Sequence, residues 1–390
     1  MAGRVGLPAP ASRNELALLR FPDRRTAWVV VAAATLAEPA DRLEDRLATL
    51  HRAVPMTGAR LRGEVWHPGP PPDPLIADGD PLHAPALLDR FDLATQPPLR
   101  VVVGSQGTRL AVACHHAAFD GRSLVALLAG LIGRAEDHRP PPEGVDNREH
   151  PPPGSAALPL RGAEPRVAGL DPARGEAGVP PRRSSPELRG LVGRIVRPAD
   201  RVAASPGRHV REALAVREVR LGGAAVTARL AEAAVAAAGA RNARMGRPWR
   251  RVGINVGLAG GGDVPIGNSS RYRRLDLRPG EPVGPVLAAA LASPREPLDQ
   301  VWSPRLGWLL EPVAGRFSDS LLVSNLGRCE VPGATRLEFF PTARGRSAVS
   351  VGAAGLAGGP STVSVRARDL SSEDAGALLE DLVARLAGRS

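Results

Sequence analysis

The chain has 390 residues, long enough for two sizeable cores, and carries a formal charge of +11 with only 3% aromatic residues. A surplus of that size ordinarily points to nucleic acid, yet all 51 basic residues are arginines, as GC-rich coding produces, and few rings are left on which bases could stack. Cys114 and Cys329 are the only cysteines, which excludes a disulfide framework and a cysteine-built metal set, and no run approaches the ~20 apolar residues of a membrane span.

In chain order, Met1 to Arg20 lacks the continuous apolar core of a signal peptide, so a reducing cytoplasm is the expected compartment. Thr26 to Leu36 has the pattern of a buried strand. Asp41 to Val54 follows with Leu43, Leu47, Leu50 and Val54 at helical spacing, stopped by Pro55. Arg60 to Trp66 predicts a further strand. Leu110 to Cys114 is an apolar strand and Leu124 to Ile132 an apolar helix, with His115-His116-Ala117-Ala118-Phe119-Asp120-Gly121 between them.

From about Arg139 to Ser205 the chain is rich in Pro, Gly and Arg, with triple prolines at Pro140-Pro141-Pro142 and Pro151-Pro152-Pro153. Such a stretch defeats both helix and sheet ladders and predicts a crossover or partly disordered linker between residues 1–138 and 206–390. Order returns with a strand from Ala215 to Leu221, a small-residue helix from Ala225 to Ala238 and an alternating strand from Val252 to Leu258. Further strands are expected over Tyr272 to Leu277, Ser320 to Gly327, Leu337 to Phe340, Ala348 to Ala353 and Thr362 to Arg368. A Ser371-x-x-Asp374 cap opens a last helix that buries Leu378, Leu379, Leu382, Val383 and Leu386.

The histidine pair carries the chemistry. Imidazole, with an unperturbed pKa near ~6.5, can take a proton from an attacking group and return it to a leaving group at neutral pH. A corner between strand and helix holds such a ring on rigid backbone. On an extended strand His116 shares a face with Cys114 while His115 faces the other way, so the two rings have different tasks. A histidine beside an apolar run is also, more simply, a satisfied core residue, and this reading stays open for His115. Asp120 opens the following helix, where a carboxylate caps free amides, and Gly121 lets a substrate or another chain segment approach the backbone. Cys114 is a candidate acylated nucleophile, although a small apolar residue on a buried strand needs no such role.

The pattern HHxxxDG resembles the active-site signature of the chloramphenicol acetyltransferase superfamily, closest to stand-alone condensation domains. Three further stretches share the resemblance: Phe91-Asp92-Leu93 to Pro97-Pro98-Leu99-Arg100-Val101, Val264-Pro265-Ile266-Gly267-Asn268 with the strand from Tyr272, and Leu322-Val323-Ser324-Asn325-Leu326-Gly327. The resemblance implies an α/β fold, an α+β two-layer sandwich of two lobes forming a V with His116 at the floor of a central tunnel. It implies His116 as general base, His115 as its support, and Asp120 with Gly121 as a loop anchor, the aspartate paired with an arginine. One departure is visible: Leu258-Ala259-Gly260 follows the second-lobe strand without the arginine often found there, leaving Asp120's partner unassigned.

The function so implied is acyl transfer from a phosphopantetheine thioester to a hydroxyl or amine of a small metabolite, in natural-product biosynthesis such as nonribosomal peptide synthesis, or in lipid biosynthesis. The donor, acyl-CoA or an acyl or peptidyl carrier protein, arrives in trans, and no bound cofactor, metal or nucleic acid is expected on a monomeric chain. Ser324 and Asn325 are candidate substrate-binding residues that could polarise the thioester carbonyl, and equally plain turn residues after a strand. The alternative is a noncatalytic condensation-like scaffold that binds carrier proteins or recruits partner enzymes.

Overall fold

The computed structural model describes residues 6–21, 26–133, 198–207, 211–258, 266–292, 319–343 and 349–388, all of them within one compact unit. Most of the expected linker, residues 139–197, lies outside the described residues, as does the arginine-free stretch after Leu258.

Of two short leading elements, β1 (Ala9–Pro10) and α1 (Arg13–Leu19), the first pairs with β4 (Val65–His67) of the hairpin that β3 (Arg60–Arg62) opens. The single strand expected over Arg60 to Trp66 is thus broken in two. Gly63 at its centre has φ +62°, the left-handed conformation of a tight hairpin turn.

The first main sheet runs in the order β12-β2-β7-β6-β5, from β2 (Val29–Leu36), β5 (Leu75–Ala77), β6 (Leu99–Gly104), β7 (Arg109–His115) and the distant β12 (Ala334–Phe340). Val29 to Ala34 is buried along its whole length, as a run of Val and Ala must be to form the middle of a sheet covered on both faces. Helix α2 (Leu43–Ala53) and helix α3 (Gly121–Ile132) accompany this sheet. Leu124, Leu127, Leu128 and Leu131 recur at the helical spacing i, i+3, i+4, i+7, and all four are fully buried against the strands.

The second sheet runs in the order β10-β9-β11-β13-β14-β8, from β8 (Ala213–Val219), β9 (Val252–Leu258), β10 (Arg271–Leu277), β11 (Leu321–Cys329), β13 (Val349–Leu356) and β14 (Ser361–Ala367). Strands β9, β11 and β13 are parallel, while β10, β14 and β8 pair antiparallel with their neighbours. Val252, Ile254 and Val256 enter the second core, where they meet α4 (Val226–Arg244), α5 (Val283–Ala292) and α6 (Ser372–Ala387). Ser371 caps α6 by accepting from the Asp374 N–H. Helix α4 runs six residues beyond Ala238, because Arg241 folds inward to donate to the Ala203 carbonyl and to Asp374 of α6. None of the described helices is long and apolar enough to cross a membrane.

The two sheets are joined by β12. It is encoded between β11 and β13 of the second sheet, yet it pairs antiparallel with β2 at the edge of the first. An edge strand leaves backbone groups without ladder partners. Here Thr362 Oγ1 donates to the Leu337 carbonyl at 2.6 Å, Ser364 Oγ to the Phe339 carbonyl, and Ser350 Oγ to the Pro341 carbonyl at 2.9 Å. The inner face of the second sheet is rich in Ser and Thr for this reason. Arg366, fully buried and ion-paired with Glu212, donates to the Val29 carbonyl at 2.6 Å, which Thr342 also reaches. On the other side Glu338, at 0% exposure, lies 2.5 Å from Arg109 of β7.

Gly352 of β13 is the point of closest approach. A Cβ built there would stand 2.1 Å from the Phe339 carbonyl oxygen and 2.7 Å from both Pro341 and Ser364. The obstruction is backbone, which cannot step aside. Gly352→Ala is therefore expected to destabilise the protein by about 1–3 kcal/mol, as overpacking does. By contrast Gly376→Ala, in the interior of α6 with open space around it, should stabilise by roughly 1 kcal/mol through helix propensity. Urea unfolding midpoints of the two variants, moving in opposite directions from the parent, check both.

Candidate active site

Strand β7 ends at His115, and the next five residues turn the chain into α3. His116 continues the approach to β2 for one more bond, its backbone N–H donating to the Trp28 carbonyl at 2.7 Å. Its ring is 3% exposed, counting the whole residue, and is fixed at both nitrogens. Nδ1 lies 3.1 Å from the Phe119 carbonyl oxygen. A carbonyl only accepts, so Nδ1 carries the proton, and in the neutral ring Nε2 presents its lone pair. That lone pair is aimed at the hydroxyl of Tyr272 on β10, which hydrogen-bonds to it. Trp28 packs against the same ring with centroids 6.4 Å apart, and Phe21 meets Trp28 edge-on at 5.5 Å. Trp28 itself holds φ at +51°, a left-handed conformation rare for a bulky residue.

His115 has a different environment. Its Nδ1 accepts from the Ala117 N–H at 3.2 Å and its ring stands edge-on to Phe91. Burial, followed by the neighbouring His116 and Arg90, lowers its pKa to about 3. It is a neutral ring that shapes the turn, and it does not line the cavity described below. Cys114 is fully buried with Sγ 3.5 Å from the Phe119 carbonyl. Burial first, and the charge of Asp120 second, push its thiol well above the ordinary range, so the thiolate that a nucleophile requires is suppressed.

Asp120 is the N-cap of α3. Oδ1 accepts from the Ser123 N–H at 2.8 Å, and Oδ2 accepts from both the N–H and the hydroxyl of Ser269, at 3.0 and 2.7 Å. The arginine that the resemblance implied is not among its partners in the described residues; a serine from the segment before β10 takes that place. Two more bonds reinforce the link. The Asp120 N–H donates to the Gly267 carbonyl at 3.0 Å, and Ser123 Oγ bonds both the carbonyl and the N–H of Gly267, at 2.7 and 3.0 Å. Gly121 is required by packing: a Cβ there would come within 2.7 Å of the Phe339 ring and 3.0 Å of Leu326.

These elements surround a narrow cavity of about 40 Å³ whose lining includes His116, Asp120, Gly121, Tyr272, Ser324 and Asn325. Ser324 on β11 has a hydroxyl with no hydrogen-bond partner among the described residues. Asn325 is otherwise engaged, donating through Nδ2 to Thr227 at 3.2 Å and accepting the Gly327 N–H at 3.0 Å. It thereby shapes the irregularity in β11 between Asn325 and Arg328, where Gly327 takes φ +74°. Tyr272, Ser123 and Ser269 were not identified from sequence as site residues. Tyr272 carried one usable signal, being the only tyrosine in the chain.

No family model and no curated protein matches the chain. Among solved structures, it is similar to the starter condensation domain of rhizomide synthetase, determined as a mutant in complex with C8-CoA and Leu-SNAC. The TM-score is 0.57 at 12% identity, over 97% of this chain and 93% of that one. It is also similar to the first condensation domain of the calcium-dependent antibiotic synthetase in complex with a substrate analogue, with a TM-score of 0.52 at 15% identity, over 98% and 96%. The fold of this chain is that of the condensation domains.

The depressed pKa of His115 has a consequence for stability. Above about pH 6.5 the ring is neutral folded and unfolded, and it contributes no pH dependence. Below that, the unfolded chain binds a proton that the folded protein refuses until about pH 3, so stability falls on acidification by up to about 1.4 kcal/mol per pH unit. His115→Asn, which keeps an acceptor for the Ala117 N–H but does not titrate, should remove that part of the slope. Urea unfolding of both proteins from pH 7 to pH 4 measures the difference; parallel curves would show that His115 titrates normally.

Proposed function

We propose that the chain is an acyltransferase that moves an acyl group from a phosphopantetheine thioester, on CoA or a carrier protein, to a hydroxyl or amine of a small metabolite. The observation that carries this reading is the state of His116: its Nδ1–H is tied to the Phe119 carbonyl, and its Nε2 lone pair is directed at a hydroxyl in the cavity. That is the arrangement of a general base. The condensation-domain fold, in a neighbour complexed with C8-CoA and Leu-SNAC, supports the same substrate class.

In the proposed reaction the acceptor's O–H or N–H lies on Nε2. As its heteroatom attacks the thioester carbonyl, Nε2 takes the proton and the carbonyl oxygen becomes an oxyanion. Collapse of the tetrahedral adduct forms the ester or amide bond and breaks the carbon–sulfur bond, and the imidazolium returns the proton to the departing thiolate. The Phe119 carbonyl holds the Nδ1–H throughout and thus stabilises the charged ring. Ser324 supplies a hydroxyl that can donate to the oxyanion, whereas the Asn325 amide serves the shape of the wall. Transfer is direct, with no acyl-enzyme on Cys114.

His116→Ala should lower turnover of C8-CoA with a panel of alcohol and amine acceptors by about 10² to 10⁴-fold while the unfolding midpoint changes little. Asp120→Ala should reduce both rate and stability, since it unpairs the Ser123 and Ser269 N–H groups. Cys114→Ala should retain most activity. Product analysis and intact mass decide the matter: a fully active His116→Ala, or an acyl adduct on Cys114, would overturn the mechanism. A chain that transfers nothing from CoA or carrier-protein donors, yet binds carrier protein, would be the scaffold instead.

A further inference from the structure

Nε2 of a neutral imidazole has one lone pair, and a hydroxyl of the protein already holds it. With Nδ1–H committed to Phe119, no second nitrogen is left to serve an incoming group. The Tyr272 hydroxyl and an acceptor's O–H or N–H are therefore alternatives at one position. The volume agrees: about 40 Å³ with the phenol ring in place has room for a few water molecules, not for an acceptor of metabolite size. We propose that Tyr272 marks and occupies the acceptor subsite, its phenol standing where a hydroxyl- or amine-bearing acceptor stands during transfer, so that the ring must swing away before the acceptor binds. This inference rests on the acyl-transfer reading above.

Three features of the backbone make the swing a side-chain motion. Tyr272 is the second residue of β10, the edge strand of the second sheet, and its register partner on β9 is Gly257, which puts no side chain beside it. The residues just before it cannot retreat, because Gly267 and Ser269 are bonded to Ser123 and Asp120. The hydroxyl is thus delivered to His116 from a fixed backbone position. Ser324, whose Oγ approaches the Cα of Gly257 closely enough that a Cβ there would meet it at 2.8 Å, borders the same space from the neighbouring strand. A group replacing the phenol would meet the base and an uncommitted hydroxyl together.

The test uses 4-fluorophenol, an analogue of the tyrosine side chain, followed by fluorine NMR on the full chain. Wild type should bind it weakly. Tyr272→Phe, which keeps the ring but frees Nε2, should bind it roughly two- to tenfold more tightly, the factor that one neutral hydrogen bond carries. Tyr272→Ala, which also empties the space, should bind more tightly still, and Tyr272→Ala combined with His116→Ala should lose the gain. Affinities that are indifferent to Tyr272 and His116, with the variants folded by circular dichroism, would overturn the subsite while leaving acyl transfer untouched. With C8-CoA present, Tyr272→Ala should form the fluorophenyl ester. Phenol bound through His116 but never acylated, by any variant or by wild type, would instead overturn acyl transfer and the acceptor assignment with it. Should Tyr272→Ala fail to fold, Tyr272→Phe against wild type still decides by its affinity ratio.

Discussion

The site depends on one carboxylate that serves two segments 149 residues apart. Asp120 caps the first turn of α3 through Ser123 and holds Ser269 by both its N–H and its hydroxyl. The cap orients the helix that follows the histidine loop, while the Ser269 bonds set where β10 begins. His116 and Tyr272 meet because each is anchored a few residues away from the same carboxylate. Among the described residues its side-chain partners are neutral donors, so Asp120 makes the connection through hydrogen bonds to a charged acceptor, which are stronger than ordinary ones and more directional than an exposed ion pair.

Local chemistry divides labour among three adjacent polar residues. Cys114, His115 and His116 follow one another in sequence and are all buried, yet only His116 lines the cavity. Burial acts on its two neighbours in the same sense, favouring the neutral thiol of Cys114 and the neutral ring of His115. In the proposed reaction, an environment that suppresses charge beside His116 would keep competing nucleophiles and competing protons away from it. The directionality that singles out His116 comes from backbone carbonyls, of Trp28 above and Phe119 below, which no side-chain pattern reveals.

What was legible in the sequence was what local pattern dictates. The strand, loop and helix around the histidine pair appear where spacing placed them, with α3 opening at Gly121, and the Ser371 cap starts α6. Contacts between remote segments were not legible. Leu337 to Phe340 was recognisable as a strand, but nothing in its own residues says that it pairs with Val31 to Ala34, some three hundred residues earlier. The arginine expected beside Asp120 came from analogy, and the serine that replaces it lies in a polar turn with no periodicity to betray it. Tyr272 had the correct strand and an unassigned task, since a tyrosine on an edge strand is ordinary until its hydroxyl is seen to reach a histidine. Helix α4 outran its expected end because Arg241 belongs to an ion pair that hydropathy cannot register.

The crossing of β12 also bears on how such a chain could come into being and be taken apart. The histidine loop follows a sheet whose edge is completed from the far half of the sequence, and carbonyls of that borrowed strand, and of Pro341 just after it, are satisfied by the hydroxyls of Thr362, Ser364 and Ser350. A fragment holding only the histidine half would expose the apolar flank of β2 as a sticky template for other chains. The complementary half would carry a strand with nowhere to lie. Neither half could stand alone in its present form, and during synthesis the histidine loop cannot reach its final support until Ala334–Phe340 has been made. The two sheets thus mature together, and a nick within either half threatens both.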